Sequence, residues 1–86
     1  MESARVVVVV DAFDDWPVSR SEARRMLADQ ASPGDLILDF TGVEMIGQGF
    51  ADEVFRVWAS THPGVTLRPV AMNSSVELMV RRTTAP

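Results

Sequence analysis

The sequence predicts an α/β domain of the form β-α-β-α-β-α, with a mainly parallel three-stranded sheet in the order 1-2-3 and helices mostly on one face. Two apolar runs, Arg5 to Val10 and Asp35 to Phe40, have the length and composition of strands. Between and after them lie segments whose apolar residues recur three and four apart, as on the buried side of a helix. Turn clusters, Ser32-Pro33-Gly34 and His62-Pro63-Gly64, close the first two helical segments just before a strand begins. Strands that alternate with helices are joined by crossovers, and neighbouring strands then run parallel.

Arg5 to Val10 is unbroken and β-branched, and reads as a strand buried on both faces. The acidic, proline-containing stretch Asp11 to Pro17 ends it. Ser19 opens a helix: Ser19 and Glu22 have the spacing of a capping box, and Val18 with Ala23 that of a hydrophobic staple. Ala23, Met26, Leu27 and Gln30–Ala31 form its inward stripe, with Arg20, Arg24 and Arg25 mostly outside. Asp35 to Phe40 is the second strand, and Thr41 to Gly47 the loop after it. The second helix, Gly49 to Ser60, carries Phe50, Val54, Val57 and Trp58 at core spacing, widened by Ala51 and Phe55. Asp52 and Arg56, four apart, pair on its outer side.

Val65 to Val70 is a third strand, marked as an edge by Arg68 and Pro69. Asn73 is the N-cap of a last helix with Val76, Met79 and Val80 inward, Glu77 paired with Arg81 outside, and Arg81–Arg82 suiting its C-terminal dipole. Residues 1–82 then form one domain, and 83–86 a loose tail. Helices on one face leave two apolar strands bare on the other. Either the loop Asp11–Val18 with Trp16 covers that face or a second subunit does, so a homodimer or another protein partner is expected.

Composition removes several function classes. The chain has no cysteine, which excludes disulfides, thiolate metal sites and a cysteine nucleophile. A single histidine, His62, excludes a two-histidine zinc site. All eight basic residues are arginine, so Schiff-base chemistry and a P-loop lysine are absent. A net charge of −4 is a poor match for phosphate backbones, and nucleic acid is not expected as a partner. The longest apolar run, Val6 to Val10, is far short of the ~20 residues of a membrane helix. A soluble, cytoplasmic protein that contacts no membrane is expected.

The most informative stretch is Leu38-Asp39-Phe40-Thr41-Gly42-Val43-Glu44-Met45-Ile46-Gly47-Gln48-Gly49-Phe50-Ala51-Asp52-Glu53. A strand ending in Asp-Phe-Thr-Gly-Val leads through a glycine-flanked turn into an amphipathic helix. Ser19-Arg20-Ser21-Glu22-Ala23-Arg24 precedes it as an arginine-containing helix. Together these segments resemble the STAS-like family of unassigned function, within the wider superfamily of STAS domains and anti-sigma factor antagonists, over roughly Val18 to Arg82. The resemblance implies a bacterial, non-enzymatic switch domain that docks on a partner such as a kinase-type regulatory ATPase. In antagonist members a serine at this helix start is phosphorylated. Here Gly47, Gln48, Gly49 and Phe50 occupy that turn, which has no hydroxyl. The expected docking surface is the loop between the second strand and second helix with the outer face of that helix: Thr41, Gly42, Gly47, Gln48, Gly49, Asp52, Glu53 and Arg56.

Other chemistries compete for the same residues. Gly47-Gln48-Gly49 at a helix start reads either as an anion-accepting nest, making the chain a small anion- or nucleotide-binding domain, or as glycines required by positive φ or close helix–strand approach. Asp11, Asp14 or Asp15 and Asp39 sit at strand ends, where carboxylates could gather around magnesium, but the lysine of phosphoacceptor receivers is missing. His62 with Asp52 or Glu53 is the one candidate catalytic grouping, and the His-Pro-Gly context favours a helix stop. No catalytic residue, metal or cofactor is therefore expected. Trp58 has core spacing, while Trp16 beside Pro17 suits a lid or an interface anchor.

Overall fold

Three strands, β1 (Ala4–Val8), β2 (Gly34–Asp39) and β3 (Val65–Val70), form one sheet in the order β1-β2-β3, with both pairs parallel. The structure, a computed structural model, describes residues 4–13 and 15–84. A short helix α1 (Val9–Ala12) follows β1, and α2 (Arg20–Leu27) leads to β2. After β2 the chain enters α3 (Gln48–Asp52), a π-helical stretch Glu53–Trp58 and α4 (Ala59–Thr61), which form one continuous rod. The last helix is α5 (Ser74–Thr84).

Side chains alternate across a strand, so one face of the sheet meets the helices and the other does not. Leu36 and Leu38 of β2 are fully buried on the helix side, in one core with Leu27, Phe40, Phe50, Val54 and Val76. On the opposite face the register aligns Val6, Ile37 and Arg68 in one row and Val8, Asp39 and Val70 in the next. Val6 is 59% exposed there. β1 is therefore not buried on both faces, contrary to its uniform composition. Nor does the Asp11–Val18 loop cover the bare face: Phe13 and Trp16 pack on the helix-side core, Phe13 edge-on to Phe50 at 5.8 Å.

Three boundaries differ from expectation by more than one residue, and one local contact also differs, each for a local reason. β1 stops at Val8 because β2 pairs with it only as far as Asp39, and Val9, turned into α1, becomes a fully buried core residue. α2 has the expected capping box, with Glu22 N–H donating to Ser19 Oγ (3.2 Å) and Ser19 N–H to Glu22 Oε1 (2.9 Å). It ends at Leu27, however, where tight turns from Ala28 N–H to Arg25 O and from Gln30 N–H to Leu27 O take Gln30 and Ala31 off the helix. Val18 is exposed and makes no staple; its backbone lies instead against Gly47. The expected tail is helical at Thr83 and Thr84, whose hydroxyls donate back to Met79 O and Val80 O, while 85–86 lie outside the described residues.

Candidate functional site

The loop after β2 is held from below at several points. Asp39 Oδ1 accepts the Thr41 hydroxyl (2.6 Å) and the Thr41 N–H (2.9 Å), and these bonds hold its carboxyl below the usual range. Gly42, at φ 79°, makes the turn that brings Val43 N–H to Phe40 O. Val43 and Ile46 are buried as two posts. Asn73 ties the loop to α5: its Nδ2 donates to Val43 O (3.3 Å) and Glu44 O (3.0 Å), while its Oδ1 accepts Val76 N–H (2.8 Å) and caps the helix. Exposed above these anchors are Thr41, Gly42, Glu44, Met45 and Gln48.

Gly47 answers to close backbone approach rather than to positive φ, and the segment it meets is the one before α2. Gly47 is buried with φ −84°, so no unusual backbone conformation requires it. A Cβ there would lie 2.6 Å from Val18 O and 2.7 Å from Val18 Cα. Glycine is needed because two backbones cross. Gly47 N–H donates to Pro17 O (2.9 Å) and Phe50 N–H to Val18 O (3.0 Å), so two donors at this helix start are engaged by the chain itself. Gly49 is half-buried in ordinary contact with Val18 and Arg20.

Glu53 does not lie on the outer face of the helix. It is buried at 7% exposure, its carboxylate 3.3 Å from Arg24 and 3.6 Å from Arg20. Asp52 is gripped by Arg56 (2.5 and 2.8 Å) and Arg20 (2.6 Å); those guanidiniums hold its carboxyl far below the usual range, and the Asp52 carboxylate in turn raises Arg56. Of the expected docking residues, Thr41, Gly42 and Gln48 are exposed, Gln48 lining a cavity with Asp52, Arg56 and the α5 residues Met79, Arg82 and Thr83, and Arg56 is exposed but paired. The structure withdraws Gly47 and Glu53 into packing and engages Asp52 between helices. Glu53 stands three residues after Phe50 and four before Val57, which is the one sequence signal that it faces inward.

The competing groupings do not assemble. His62 stacks on Trp58 (centroids 4.0 Å, 15°), and its Nδ1 contacts Trp58 O and Thr61 Oγ1 rather than Asp52 or Glu53. Asp39 is engaged by Thr41, Asp14 lies outside the described residues, and among those described no three metal-ligating side chains come together. Two features escaped the sequence reading: Asn73 as the brace of the loop, and a cavity of about 470 Å³ between this loop and the one after β1. Val9, Val10, Phe13, Asp15, Trp16, Pro17 and Val43 line it. Two aromatics placed in a loop next to a proline were its only visible signal.

Comparison with known proteins adds one finding. A family model described as a STAS-like domain of unknown function matches residues 23–77, about two thirds of the chain. No curated protein and no solved structure matches it. The match spans β2, the pinned loop, the long helical rod and β3, and leaves β1 and the cavity residues Val9 to Pro17 outside.

Proposed function

The chain belongs to the STAS-like domain family of unknown function, and from that premise we propose that it is a non-enzymatic, regulatory protein-interaction module. It docks on a protein partner, of which a kinase-type regulatory ATPase is the type the resemblance implies, through the exposed crest of the loop after β2. The observation that carries this reading is the loop's construction. Val43, Ile46 and Asn73 fix its backbone, and Thr41, Glu44, Met45 and Gln48 project from it. A surface ordered before contact loses little conformational entropy on binding.

Met45, 42% exposed, offers an adaptable apolar contact, and Glu44 a negative charge that suits a basic patch. Asp52 and Glu53 are neutralised by arginines, so the negative charge offered by the crest is that of Glu44. The exposed Val6, Val8 and Val70 of the bare sheet face support a homodimer contact as part of the same reading, measurable by sedimentation velocity over a concentration series. No helix among the described residues is long and apolar enough to cross a membrane.

The test is affinity capture from the native host with the wild-type domain and with a Glu44→Arg/Met45→Asp variant. Both positions are exposed, so the melting temperature should move by no more than about 4 °C. Partner recovery should fall at least about tenfold, the effect of losing roughly 1.4 kcal/mol of binding. Equal recovery by a folded variant would overturn the proposal.

A further inference from the structure

The cavity between the two rim loops has the chemistry of a socket for one kind of side chain. It lies where β1 and β2 end, at the carboxyl edge of the parallel sheet. Its volume of about 470 Å³ falls within the ~300–1,000 Å³ of built ligand sites. Val9, Val10, Phe13, Trp16, Pro17 and Val43 contribute apolar and aromatic side chains, and the exposed lining is as much polar as apolar. Asp15 is the one ionisable group among the described lining residues. Its Oδ1 accepts the Trp16 N–H at 2.8 Å, which orients the carboxylate and leaves Oδ2 without a bond among the described residues.

A second cavity, of about 390 Å³, shares Phe13 and Asp15 with the first and adds Asp11, Ala12, Glu22 and Arg25. Three carboxylates to one guanidinium make this end of the domain negative. No arginine among the described residues forms an ion pair with Asp11 or Asp15. An anion would meet net repulsion, and a purely apolar anchor would leave Asp15 facing it without a counter-charge. Aromatic faces beside a carboxylate suit a cation on an apolar stem, held by cation–π attraction and a charge-assisted hydrogen bond.

We propose that this cavity receives an arginine side chain presented by the protein partner, its methylene stem between Phe13 and Trp16 and its guanidinium on Asp15. This deepens the docking reading and rests on it: Val43, a post of the pinned loop, forms one wall, so the same contact would engage both loops. The remaining lining residues precede the stretch matched by the family.

The test uses the intact ¹⁵N-labelled chain and three synthetic peptides, Ac-Ala-Leu-Arg-Leu-Ala-NH₂ and its Arg→Gln and Arg→Glu counterparts. Saturable shifts of the Trp16 indole N–H and of the amides of Val9, Val10, Phe13, Asp15, Trp16 and Val43 are expected with the arginine peptide. The glutamine peptide should bind at least about tenfold more weakly and the glutamate peptide not at all. Asp15→Asn, an exposed change, should weaken the arginine peptide by a similar factor while the spectrum stays folded. Equal affinity for the three peptides, shifts outside these residues, no shifts, or indifference to Asp15→Asn would each overturn the socket. Failure here with capture still lost in Glu44→Arg/Met45→Asp leaves docking standing without the socket. Arginine-selective binding with capture unchanged in that variant retains the socket and removes the loop as docking surface.

Discussion

Replacing Gly47 by alanine tests the crossing on which the rim is built. The backbone at Gly47 is one that alanine adopts freely, so the effect is steric. The new methyl would sit 2.6 Å from Val18 O and 2.8 Å from Val18 Cγ1. To reach an ordinary contact of about 3.4 Å, the Val18 backbone must retreat by roughly 0.8 Å, and overpacking of this kind costs about 1–3 kcal/mol. The retreat also stretches two bonds, Gly47 N–H to Pro17 O and Phe50 N–H to Val18 O, each worth about 1 kcal/mol. The reduced freedom of the unfolded alanine chain offsets only about 0.4–1 kcal/mol.

A loss of about 2–4 kcal/mol remains, and for a domain of this size the melting temperature should fall by roughly 10–25 °C. Circular dichroism melts of three variants make the comparison internal. Gly49→Ala, in ordinary contact near the start of a helix, should match or exceed the wild type by up to about 1 kcal/mol. Gly42→Ala meets open space but keeps φ at 79°, a strain of about 1–2 kcal/mol. Gly47→Ala should be the least stable of the three. If it melts within a few degrees of the wild type, the two backbones do not cross there and the account of the rim is wrong.

Asn73→Asp keeps an oxygen to cap α5 but removes both donors to Val43 O and Glu44 O. The expected result is a melting temperature lowered by no more than about 8 °C, with amide exchange accelerated at 43–46; unchanged exchange there would mean that Asn73 does not brace the loop. Acid should destabilise the fold through carboxyls whose folded pKa values are depressed: Glu22 by its bonds to Ser19, Asp39 by Thr41, and Asp52 by Arg56 and Arg20. Their stabilisation is complete above the ordinary values of 4.5 and 3.8 and is lost as pH falls toward the folded values, Asp52 being the last to protonate. The melting temperature should be level near neutrality and fall below about pH 4.5, and Asp52→Asn should flatten the lowest part of that fall. Parallel curves for the two proteins would show that the Arg20–Asp52–Arg56 contact adds nothing.

Sequence alone determined the alternation of three strands with the three main helical segments, the parallel sheet and the start of α2, because these depend on local periodicity and on groups three or four residues apart. It did not determine the short α1. Ser19 and Glu22 meet within one turn, and Leu36 and Leu38 alternate into the core whatever surrounds them. The rim loop was legible at Thr41, Gly42 and Gln48, which are exposed as expected. The tertiary structure decided the rest, since it depends on segments distant along the chain. Val18 closes over Gly47, Arg20 and Arg24 draw Asp52 and Glu53 inward, and Asn73 reaches back thirty residues to Val43. Composition made β1 look buried on both sides, yet burial is set by what packs on a strand, and all the helices gathered on one side. The cavity between the rim loops has the same origin: residues from Val9 to Val43 line it, and no periodicity within either segment records that they meet.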